Sequence, residues 1–138
     1  MNLKQKSGFT LLEIIIVIII VGVLASLALP RLFSTVEFSR SGEALASFAS
    51  LRSSLERCYL MNNSTYAPCT LASLDLTDPG NSPNAHFGYG ISAQTTTGYV
   101  LTATRTTRDG GSVTDNIIMT QTSASVTKSG STAFIGIK

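Results

Sequence analysis

Few residues in this chain have the type and spacing to do chemistry, and the first that raises a question is a carboxylate. Glu13 stands inside KSGFTLLEIIIVIIIVGVLASLALP, residues 6–30, an apolar run with no base on its apolar side. A charged side chain at the centre of a bilayer costs about 2.5–3.5 kcal/mol on insertion scales, so Glu13 needs a partner. Cys58 and Cys69 are the two cysteines and His86 is the one histidine. A hydrolase needs a nucleophile with a base beside it, and a transition-metal site needs several nitrogen or sulfur ligands. This set points to neither, so no enzyme activity and no cofactor are expected. His86 lies in a polar turn before a strand and reads as exposed. The glycines punctuate turns and form no phosphate loop. Arg105 and Arg108 near a hairpin end, with Lys128 and Lys138, are candidates for a small basic patch facing DNA phosphates. Asp109 beside Arg108 favours ordinary solvated charge over that reading.

These residues are positioned by elements that the totals already bound. The chain has 138 residues, of which 43% are hydrophobic and 13% charged. With the apolar segment set aside, that length suits one domain with a modest core. Net charge is +2, but Lys4 and Lys6 lie in the first eight residues. Without them eight basic residues face eight acidic ones, so overall charge does not by itself point to nucleic acid. The stretch behind the apolar run is rich in Ser, Thr, Gly and Asn, a composition that suits an exported protein. In an oxidising compartment Cys58 and Cys69 would pair; a reduced buried pair is the alternative.

Phe9 to Leu29 is long enough to cross a hydrocarbon core of about 30 Å. Lys4 and Lys6 ahead of it put the first eight residues in the cytoplasm and the remainder outside. A cleaved signal peptide is one reading, with Ser26-Leu27-Ala28 as a small-x-small cut site. Two features argue against it: signal cores run about 7–15 residues, and Glu13 has no task there. Apolar residues also recur at steps of three and four beyond Pro30, through Ala44, Phe48, Leu51 and Leu55. That spacing predicts an amphipathic helix on the same axis, reaching Met61, with Pro30 and Gly22 as the places where it bends.

Gly8-Phe9-Thr10-Leu11-Leu12-Glu13, with a basic leader before and Pro30 after, closely resembles the start of a type IV prepilin. The resemblance implies that prepilin peptidase removes residues 1–8 by cutting between Gly8 and Phe9 and then methylates the amine of Phe9. It also implies that residues 9–30 are kept, first in the inner membrane and then in a filament core. An assembly machinery with an ATPase motor comes with the family. The physics agrees: cutting creates an amine on Phe9, which on one subunit can meet Glu13 on another. A lone buried charge is costly, whereas a paired one is tolerable and sets register.

Residues 31–138 are expected to form the globular pilin domain, with helix to about 61, loop over 62–85 and antiparallel sheet over 86–138. Gly88–Ile91, Tyr99–Thr104 and Ile117–Met119 read as strands, with a further one around Ala133–Ile137. Arg108-Asp109-Gly110-Gly111 marks a reversal. The fold class expected is α+β, a long helix packed on a small antiparallel sheet. Gly98–Thr104 loosely resembles strands of pilins in the group that includes some DNA-uptake minor pilins. No cysteine follows Cys69, unlike many pilins, and no C-terminal acidic cluster resembles the calcium site of major pseudopilins. The function expected is a structural subunit of an extracellular type IV pilus, a homo-oligomeric filament whose role, whether motility, adhesion, DNA uptake or another, is left open by the sequence. A pseudopilin of type II secretion and a minor pilin that captures DNA or surfaces are the alternatives. A soluble domain cut near Ala28 is the rival from outside the family.

Overall fold

The computed structural model describes residues 9–137; the expected leader with its Gly8 and Lys138 lie outside the described residues. Helix α1 runs from Leu11 to Met61. Thr10 caps it, because the Glu13 N–H reaches both the Thr10 carbonyl, at 3.1 Å, and its hydroxyl, at 3.2 Å. The helix continues through Pro30 without ending there. Two compact units are distinguished along the chain, one up to Thr35 and one from Val36. In the first, the residues from Ile14 to Leu29, part of a helix long and apolar enough to cross a membrane, are exposed apart from the half-buried Ala25, and none of the most apolar window is buried. Serines and threonines here and just beyond return their hydroxyls to their own helix, as Ser26 does to the Val23 carbonyl at 2.7 Å.

In the second unit α1 turns one face inward. Ala44, Phe48, Leu51 and Leu55 are all buried, at the steps of four and three that one helix face requires. They meet a four-stranded antiparallel sheet in the order β1 (Phe87–Ser92), β2 (Tyr99–Arg105), β3 (Asn116–Gln121), β4 (Val126–Gly130). Register places Ile91, Leu101 and Met119 in one row and Tyr89, Ala103 and Ile117 in the next. Alternation along β2 buries Tyr99, Leu101, Ala103 and Arg105 on the helix-facing side.

Two expectations are corrected. The last strand is Val126–Gly130 rather than Ala133–Ile137, which instead holds a short 3₁₀ turn at Thr132–Phe134. Phe134 and Ile137 are apolar because that turn closes the core; the Phe134 ring lies 5.6 Å from that of Phe87. β4 was hidden because it is an edge strand, exposed along most of its length, with little apolar signal. The second correction concerns Arg105, whose place in β2 removes it from solvent altogether.

Candidate functional site

Phe9 and Glu13, the residues expected to set assembly register, both lie at the exposed start of α1. Glu13 has a second task that sequence reading missed: it is the acid of the first helical turn, where the helix dipole favours negative charge. The signal was present as Thr10-Leu11-Leu12-Glu13, the spacing of a capping box. Gly22 approaches nothing: a Cβ built there meets no atom within 4 Å.

Cys58 and Cys69 form a disulfide, joining the last turns of α1 to the loop that follows. The same region is fixed by ionic and aromatic contacts. Arg57 grips Asp75 with two nitrogens, at 2.6 and 2.8 Å, and the Ser54 hydroxyl donates to the same carboxylate. Those bonds, Arg57 first, hold the Asp75 carboxyl well below the usual carboxylate range. Tyr66 packs 4.5 Å from Tyr59 and 4.8 Å from Tyr99, ring centre to ring centre, and its hydroxyl donates to Glu56 at 3.0 Å. Burial pushes the Tyr99 phenol up to about 12 and that of Tyr66 higher still.

At the opposite end of β2 the ionisable residues form a closed network. The fully buried Arg105 donates to Glu37 from Nε at 3.0 Å and from a terminal nitrogen at 3.3 Å. It also donates to the carbonyls of His86, Thr106 and Arg108, and its charged end lies 5.8 Å from the Phe87 ring centre. Glu37 takes a second cation, Arg40, at 2.6 Å, and its pKa is lowered chiefly by the Arg105 bond. His86 is bracketed by carboxylates, Glu43 at 2.7 Å from Nδ1 and Asp109 at 3.1 Å from Nε2. The expectation of an exposed His86 is therefore corrected: its side chain is only 25% exposed. Asp109 can aim at it because the reversal places that residue at φ 50°, with Gly110 at 77°.

This network separates the two arginines proposed together as a DNA contact. Arg105 is spent inside the protein, and no phosphate reaches it. Arg108 remains exposed, donating to the Pro83 carbonyl and, at 3.3 Å, to the Asn84 side chain. The network also consumes Glu37, Glu43 and Asp109, while Asp75 is held by Arg57. A unit with nearly balanced charge thus leaves Arg52, Arg108 and Lys128 with no carboxylate within 4.0 Å among the described residues.

Comparison with protein families gives two matches. Residues 31–116 match the type IV minor pilin ComP, DNA uptake sequence receptor, and residues 3–29 match the prokaryotic N-terminal methylation motif. Among individual proteins, the type II secretion system core protein G of Aeromonas hydrophila is 39% identical over 75 residues, 54% of this chain and 51% of that protein. Its counterpart from Klebsiella michiganensis is 36% identical over 89 residues, 63% of this chain and 61% of that protein. The one from Dickeya chrysanthemi is 43% identical over 63 residues, 46% of this chain and 40% of that protein. The chain thus spans about half the length of the relatives it matches. No solved structure matches it.

Proposed function

The chain belongs to the family of the type IV minor pilin ComP, DNA uptake sequence receptor, and from that premise we propose that it is a minor pilin whose globular unit binds duplex DNA. The observation that carries this reading is the extent of the match. It covers 86 residues, 31 to 116, which hold the globular part of α1 and strands β1 and β2, and not only the leader and apolar helix common to prepilins. The charge distribution supports it, since Glu37, Glu43, Asp75 and Asp109 are paired with Arg40, Arg57, Arg105 or His86, while Arg52, Arg108 and Lys128 face solvent with no carboxylate within 4.0 Å among the described residues.

In this reading prepilin peptidase cuts after Gly8 and methylates Phe9 while residues 9–29 lie in the inner membrane. The subunit then joins a filament through that helix, with Glu13 meeting the amine of a neighbouring Phe9. Packing even a few hundred Å² of apolar surface per subunit contributes several kcal/mol at about 25 cal/mol per Å². Lipid already covers the same side chains, so extraction is near balance and an ATPase motor drives it. Outside the cell the exposed face of the second unit meets DNA.

The test is duplex binding by the full-length protein in detergent, followed by fluorescence anisotropy across a salt series. Affinity that falls as salt rises, with one sequence preferred over scrambled duplexes, is the expected result. Absence of binding at low salt sinks the reading. The relatives named type II secretion system core protein G favour a second one, a pseudopilin of a secretion machine. Deleting the gene separates them: loss of DNA uptake with intact protein export supports the first, and the reverse supports the second.

A further inference from the structure

One charge sits where the fold would not otherwise place it. Lys128 pairs with Met119 across β3 and β4, and Met119 belongs to the helix-facing side of the sheet. Lys128 is therefore on the face that the other strands bury, yet it is exposed because α1 does not cover the sheet as far as β4. Between them runs a groove of about 400 Å³ with Leu45 and Ala49 from α1 on one wall and Met119 and Val126 on the other. Arg52 lines it from the helix and Lys128 from the strand, and neither makes an ion pair among the described residues. Every other arginine of this unit is held by a carboxylate or, for Arg108, by Pro83 and Asn84. Among the described residues of this unit, Arg52 and Lys128 thus stand on opposite walls of one groove with no carboxylate bound to either.

We propose that this groove is the place where the protein grips the backbone of duplex DNA. Arg52 and Lys128 hold successive phosphates, and the apolar walls lie against the deoxyribose faces between them. Contacts of this kind position a duplex and carry no sequence information. The preference for a particular sequence then comes from another surface. The proposal rests on the reading of the chain as a DNA-binding pilin, and Lys128 lies beyond the residues matched by the family. Charge complementarity selects the occupant. A second copy joined through β4 in antiparallel register centred on Lys128 would set two lysines face to face, which is destabilising. Glu56 lines the same groove and accepts the Tyr66 hydroxyl, so one negative charge faces the phosphates there.

The experiment is the salt dependence of binding of a labelled duplex to full-length protein in detergent, for wild type, R52Q, K128Q, the double variant, R108Q and E56Q. Each contact to a phosphate contributes about 0.9 to the slope of log affinity against log salt. R52Q and K128Q are expected to weaken binding to all sequences alike and each to reduce that slope by about 0.9, the double variant by about twice that. R108Q should leave the slope in place. E56Q keeps the bond to Tyr66 and should tighten binding, a change of sign that a packing defect would not produce. The proposal is overturned if the double variant keeps the wild-type slope, or if R108Q lowers it as much as K128Q does. It is also overturned if polyglutamate competes as well as DNA of equal charge, which would reassign the groove to acidic peptides. A wild type that binds duplex while the double variant is unchanged leaves the DNA-binding reading intact. A wild type that binds no duplex removes both.

Discussion

Replacing Glu37 by Gln removes the carboxylate that pairs with Arg105, a guanidinium with no solvent exposure. Breaking a fully buried ion pair by deleting one member costs about 3–5 kcal/mol, because the remaining charge is stranded. Two features reduce that here. The Glu37 side chain is 21% exposed, and Arg105 keeps bonds to the carbonyls of His86, Thr106 and Arg108. Gln also retains one accepting oxygen. The expected loss is therefore about 2–3 kcal/mol, close to that of one or two charge-assisted hydrogen bonds. The sign of its pH dependence follows from the lowered pKa of Glu37. A carboxyl whose folded value lies below its ordinary 4.5 stabilises the fold fully above 4.5 and loses that contribution as pH falls through the folded value. Urea unfolding of wild type and E37Q in detergent, monitored through tyrosine fluorescence, measures both effects. The gap should be widest at neutral pH and narrow steadily below about pH 4.5. A gap under about 0.5 kcal/mol at pH 7, or one that stays constant into acid, would refute the argument that Arg105 depends on the Glu37 charge.

Three other outcomes are expected. Converting both Cys58 and Cys69 to Ser opens a loop with a sequence separation of 11 and should cost about 3 kcal/mol in urea unfolding, with thiol reagents confirming no free cysteine in the wild type. Gly98→Ala should destabilise by about 1–3 kcal/mol, because a Cβ there would stand 2.5 Å from the Gln121 carbonyl oxygen in the neighbouring strand; an unchanged melting temperature would show that β2 and β3 separate freely. Glu13→Gln should leave cleavage after Gly8 intact, read as mature mass, while lowering the amount recovered in sheared surface filaments. Equal recovery would remove the register role of that carboxylate.

Much of the fold was legible because its signals are local. The run of Ile and Val before Pro30 and the steps through Ala44, Phe48, Leu51 and Leu55 mark one helix in two environments. Composition was enough to pair Cys58 with Cys69. Arg105 was misplaced for a small reason: β2 was ended at Thr104, and one more residue of period two carries Arg105 to the inner face behind Tyr99, Leu101 and Ala103. What the sequence hid are contacts between distant positions. His86 meets Glu43 across 43 residues, and Arg105 meets Glu37 across 68. The groove was hidden for the same reason, since it exists only where α1 stops short of covering β4. No local pattern announces a gap.

The order of the strands has a kinetic consequence. Each strand pairs with the next along the chain, so the sheet is a succession of hairpins whose closing loops are short. Loop closure of that size takes about 10–100 ns and hairpin formation about 1–10 μs, and topologies rich in local pairings fold quickly. The disulfide likewise closes over a sequence separation of only 11, ahead of the sheet in the chain. The docking of α1 requires the longest-range encounters, such as Arg105 with Glu37 across 68 residues, and its residues are synthesised before the sheet. The helix, made first of the two, therefore waits only for a local meander to form, which keeps the interval short in which its apolar face at Ala44, Phe48, Leu51 and Leu55 stands uncovered.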